Sequence, residues 1–150
     1  MRAKVDKALE TALWIIMGVM VVNVLWQVFS RYVLSSPSSF TDELARYLMI
    51  WIGVLGAAYV SGRNMHVAID LFPSRSSEKS QRIIRYIVYA LVILFAITAL
   101  VIGGSRLVYI SHILGQKSPA LQIPLAVVYM ALPISGALIV FYKLNDLMYK

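Results

Sequence analysis

Four stretches of this chain carry no charged residue: 11–30, 47–62, 86–105 and 118–142, with lengths of 20, 16, 20 and 25. A helix needs about 20 mostly apolar residues to cross the hydrocarbon core of a bilayer. Within that core every backbone N–H and C=O must be paired inside the structure, which a helix achieves by itself. Each stretch therefore reads as a membrane span. The second is short. Begun at Leu44, it reaches 19 residues but takes Arg46 into its first turn. That guanidinium must then snorkel to the headgroups or pair with an acid. Hydrophobic residues fill 60% of the 150 positions, about what four spans consume. A second folded domain, of about 50 residues or more, has no room. The prediction is an all-α membrane protein: one four-helix domain, with spans at approximately 9–30, 43–62, 84–106 and 122–142.

The connectors set the orientation. The N-terminal segment, the middle connector and the tail hold 10 of the 14 Lys and Arg residues, and the other two connectors hold 4. Basic residues accumulate on cytoplasmic loops. Two hairpins with both termini cytoplasmic are expected, in a multi-pass protein of the bacterial inner membrane. The net charge of +7 has the same origin, so nucleic acid is not an expected partner. The first uncharged run exceeds the 7–15 residues of a signal-peptide core and reads as a retained anchor. Lys79, Arg82 and Arg85 recur on one helical face, suited either to anionic lipid or to plain solvation.

The chain has no cysteine, which removes thiol catalysis, disulfides and Cys-bound metals. Asn23, Gln27, Ser30 and Arg31 fall on one stripe of the first span and should face protein or water, since polar groups facing lipid are costly. The spans hold no membrane-centre carboxylate of the kind that proton- and cation-coupled carriers use. Interhelical hydrogen bonding is thus the preferred reading of the stripe.

Asp42, Glu43 and Arg46 lie at i, i+1 and i+4, with Arg31 arriving from the first span. The spacing predicts an ionic network at the outer surface. Adjacent acids flanked by arginines stay ionised and paired, which makes them poor as an acid–base couple. Ser39 and Asp42 have the spacing of a capping box opening the second span. His66 and Asp70 supply two potential metal ligands where a site needs three or four. The other histidine, His112, is expected on the opposite side of the membrane. No metal, cofactor or catalytic residue is assigned. Gly53, Ala57 and Ser61 form a small-residue face that would let another helix approach closely. Gly103-Gly104, Pro124 and Pro133 mark helix ends or kinks, with the fourth span beginning near Pro124.

These residues also carry a resemblance. The run WQVFSRYV at 26–33, FTDELAR at 40–46, Trp51, GAA at 56–58 and HVAIDL at 66–71 resemble the small membrane subunit (DctQ family) of TRAP transporters, the tripartite ATP-independent periplasmic carriers. The later SPALQIPL at 118–125, with Pro119 and Pro124, followed by Val128-Tyr129 and Ala131-Leu132-Pro133, is similar to the same family. Met65 stands where that family commonly has glycine. The resemblance implies four helices paired with a much larger membrane subunit, which carries the sodium and substrate sites. It implies a periplasmic binding protein that delivers an organic acid. Arg31, Asp42, Glu43 and Arg46 would then brace the outer end and meet the binding protein. Asn23, Gln27 and the Gly53 face would contact the large subunit or neighbouring helices, and His66 and Asp70 would order the cytoplasmic turn. A stand-alone homo-oligomeric four-helix exporter is the alternative, although the first span lacks the embedded glutamate such carriers resemble one another in having.

Overall fold

The computed structural model describes residues 2–35, 38–63 and 78–149. Helix α1 (Arg2–Tyr32) and helix α2 (Ser39–Gly62) make the first hairpin. Helix α3 (Glu78–Phe95) continues through a π-helical segment (Ala96–Gly103) into α4 (Gly104–Ile113). After a connector, the short α5 (Leu125–Tyr129) leads into α6 (Ala131–Tyr149). Among the described residues, four helical passes are long and apolar enough to cross a bilayer: Arg2–Tyr32, Ser39–Gly62, Arg82–Ile113 and Leu125–Met148. The spans pack in the order first, second, fourth, third: α2 lies between α1 and α6, and α6 lies against the π segment. Both termini lie at one end, where Arg2 of α1 reaches Asp146 of α6.

The buried apolar cluster comprises Leu9, Leu55, Ala58, Ala96, Ile139 and Tyr142. It is small because most large apolar side chains point outward, as a lipid solvent permits. Close packing is concentrated between the third and fourth spans. A Cβ at Gly136 would stand 2.7 Å from Leu100 Cβ, and one at Gly104 would stand 2.8 Å from Leu132 Cβ. Glycine lets these two backbones meet. The π segment lies at the same contact. Thr98 Oγ1 donates to the Leu94 carbonyl four residues back, a bond that bends helices.

The Gly103-Gly104 pair acts differently from expectation. Gly103 and Gly104 do not end the helix, which runs on to Ile113. Its stop is Gly115, at φ +58°. Gly115 N–H donates to the His112 carbonyl and Gln116 N–H to the Ser111 carbonyl, the paired bonds of a Schellman cap. Pro124 precedes the first turn of α5 as its N-cap, in extended conformation. Pro133 has no N–H for the Tyr129 carbonyl, and the fourth span breaks at Met130.

Candidate functional site

The outer end is organised by one carboxylate. Glu43, in the first turns of α2, is buried. Its Oε2 accepts the backbone N–H groups of Ala120 and Leu121, each at 2.9 Å, and its Oε1 accepts the Tyr47 hydroxyl at 2.8 Å. The clamped segment is a tight turn. Ser118 N–H donates to the Ile123 carbonyl, Gln122 N–H to the Ser118 carbonyl, and Lys117 bridges Pro124. A charged acceptor shared by two amides is stronger than a neutral one. It fastens the connector between the third and fourth spans onto the start of the second.

The predicted four-residue ionic network does not form. Among the described residues, neither Arg31 nor Arg46 is in an ion pair. Asp42 instead accepts from the Gln27 side-chain amide, and Asn23 Nδ2 donates to the Thr41 carbonyl at 2.9 Å. Glu43 is held by backbone amides, so its charge is no longer available to Arg46. The polar stripe of α1 thus meets the N-terminal end of α2. Arg31 at its end is exposed. Ser39 makes no capping bond either. Ser38 occupies the N-cap without a side-chain cap, while Thr41 Oγ1 donates to the Ser38 carbonyl. What remains open is a cleft of about 400 Å³ lined by Ser39, Asp42, Glu43, Arg46, Pro119 and Ala120.

Gly53 and Ala57 lie on an exposed face of α2 together with Met49 and Val60. Nothing in the chain approaches within 4 Å of where a Gly53 Cβ would stand. Ser61, placed on the same stripe by spacing, is buried at the opposite, terminal end. His66 and Asp70 lie outside the described residues.

That terminal end holds a cluster that the sequence reading passed over. Lys143 and Asp146 are fully buried side chains on α6, with Nζ 3.8 Å from Oδ2. Arg2 donates to Asp146 Oδ1 at 2.6 Å and also to the Gly62 carbonyl. Lys143 Nζ donates to the Ser61 carbonyl at 3.1 Å and sits 4.8 Å from the centre of the Tyr89 ring. The Tyr142 hydroxyl donates to Asp6 at 2.6 Å. The last carbonyls of a helix have no partner within it and carry the negative end of its dipole. Here two cations, one from α1 and one from α6, satisfy those of α2. The available signal was Lys143 and Asp146 at i, i+3 beside the last span, with Arg2 and Asp6 at the first. Spacing alone assigns Arg2 and Lys143 to topology and leaves Asp6 and Asp146 without a role.

Among the described residues no cluster of His, Asp or Glu is arranged to hold a metal ion. The buried charged groups Glu43, Lys143 and Asp146 join helices and connectors, and the described helices form a four-span membrane bundle. The chain belongs to the DctQ component family of tripartite ATP-independent periplasmic transporters, whose model matches residues 20–149. Members are transport components, not enzymes. The chain is 30% identical over 135 residues to a putative TRAP transporter small permease protein of Haemophilus influenzae, covering 90% of this chain and 82% of that one. It is 26% identical over 132 residues to the sialic acid TRAP transporter small permease protein SiaQ of Vibrio cholerae, covering 88% and 75%. It is also 29% identical over 113 residues to the isethionate TRAP transporter permease protein DctMQ of Oleidesulfovibrio alaskensis, covering 75% of this chain but 18% of that one. In that relative the small unit forms part of a much larger permease polypeptide. The protein is thus a small TRAP transporter permease subunit, a multi-pass protein of the bacterial inner membrane that partners a large permease subunit.

Proposed function

We propose that this chain is the fixed scaffold of a sodium-coupled, binding-protein-dependent carrier for an organic acid. The sodium and substrate sites would lie in the large subunit. The observation that supports this most is the unpartnered face of α2. Met49, Gly53, Ala57 and Val60 are exposed along one side, and a small-residue face in a membrane allows close helix approach. The large subunit is the natural occupant. Relatives named for sialic acid and isethionate support an acidic solute.

The end bearing both termini faces the cytoplasm in this reading, because it carries most of the Lys and Arg residues. The opposite cleft, with Asp42 and Arg46 unpaired to each other beside the turn at Pro119, is where a periplasmic binding protein would dock. Co-expression with the large subunit and capture of a tagged chain in mild detergent tests the pairing. The wild type should retain the large subunit, and Gly53→Leu should lose it while melting unchanged on its own. A stable, monodisperse chain that captures no large partner, or full capture by Gly53→Leu, refutes the proposal.

A further inference from the structure

A second cleft opens at the terminal end of the bundle, between the third and fourth spans. Its volume is about 190 Å³, and Arg82, Arg85, Tyr86 and Tyr89 of α3 line it with Asp146 and Leu147 of α6. The four α3 residues fall at i, i+3, i+4 and i+7, one face of the helix. Arg82 is also where the apolar stretch of the third span begins, so the guanidiniums stand at headgroup depth. Both arginines are exposed, and no described carboxylate lies within ion-pair distance of either.

The acid in the wall does not neutralise them. Asp146 gives one oxygen to Arg2 at 2.6 Å, and the other faces Lys143 at 3.8 Å. The cleft is therefore lined by Arg82 and Arg85 against one carboxylate already engaged by Arg2 and Lys143, an excess of positive charge. Beside it, Leu147 in the wall and Leu144, one turn deeper on α6, are both exposed. A cationic cleft beside exposed leucines of α6 matches an amphiphile: an anionic head on a hydrocarbon tail. Arginine forks pair well with phosphate oxygens, and basic clefts between membrane helices take phosphorylated lipid heads.

We propose that the cleft between α3 and α6 binds the phosphate of an anionic glycerophospholipid, with Arg82 and Arg85 on the phosphate and an acyl chain along Leu147 and Leu144. The assignment rests on the membrane-span reading alone. It needs neither the large subunit nor the binding protein.

Native mass spectrometry of the full chain in detergent micelles tests it, with phosphatidylglycerol and phosphatidylcholine offered at equal concentration. Phosphatidylglycerol should be retained at least about tenfold better. Arg82→Gln with Arg85→Gln should abolish that preference. Arg82→Lys with Arg85→Lys should keep part of it, and Arg106→Gln, in the α4 portion of the same span, should keep it all. Excess inorganic phosphate should not displace the lipid. Equal retention of the two lipids, an unchanged preference in the double Gln variant, or displacement by free phosphate each overturns the assignment. Because no partner subunit takes part, failure here is distinguishable from failure of the scaffold reading.

Discussion

Gly136 and Gly53 are both glycines in spans, and the structure predicts opposite consequences for changing them. A methyl group at Gly136 would stand 2.7 Å from Leu100 Cβ, 2.9 Å from Val101 Cγ2 and 3.2 Å from the Ala96 carbonyl oxygen. Ordinary contact begins near 3.4 Å, so the nearest atom must retreat by 3.4 − 2.7, or 0.7 Å. That atom is a Cβ fixed to the backbone, and no rotamer change moves it. The π segment as a whole must shift from α6. Overpacking against a backbone-fixed atom falls in the upper part of the usual range, about 2–3 kcal/mol, offset by about 1 kcal/mol of helix propensity gained over glycine. The net loss for Gly136→Ala is about 1–2 kcal/mol. For a chain of this size that lowers Tm by roughly 2–8 °C. At Gly53 nothing lies within 4 Å, so Gly53→Ala should melt at or above the wild type in detergent. Its effect should appear only in capture of the large subunit. Thermal unfolding of the isolated chain, followed by tryptophan fluorescence, separates the two. A wild-type Tm for Gly136→Ala, or a lowered Tm for Gly53→Ala, refutes the packing argument.

Glu43→Ala should release the turn at 118–121. Hydrogen exchange at the Ala120 and Leu121 amides should accelerate by about tenfold or more, with Asp42→Ala leaving both unchanged. Asp146→Leu should cost about 3 kcal/mol, because it leaves the buried Lys143 without a counter-charge, and Lys143→Met should cost less, because Arg2 still pairs with Asp146. The double variant should recover much of that loss in a double-mutant cycle of detergent unfolding. Additive losses would mean that the two charges do not sense each other.

The spans were legible because lipid solvation acts on length and charge, both of which are written directly in the chain. The 11–30, 47–62 and 86–105 stretches each lie wholly inside a helical pass. The fourth was legible only in part. Residues 118–124 are uncharged yet form a turn, since Glu43 supplies from 75 residues or more away the acceptor their amides need. Spacing rules capture partners on the same helix, so Asp42–Arg46 looked like a pair. They are blind to a tertiary acceptor such as the one Gln27 finds in Asp42. The same blindness hid Arg2 and Asp146, 144 positions apart. Whether a glycine face meets another span of the chain or stays open is likewise a property of packing. Gly136 and Gly53 look alike in sequence and differ wholly in surroundings.

The Arg2–Asp146 contact also orders events in time. Arg2 is made 144 positions before Asp146, so their bond waits for the last of the four spans to follow the first. Until the final turns of α6 have been synthesised, the Ser61 carbonyl lacks its ammonium and Arg2 lacks its carboxylate. The first hairpin therefore carries unmatched charge at this end, and the ionic clasp closes only once α6 has joined the bundle.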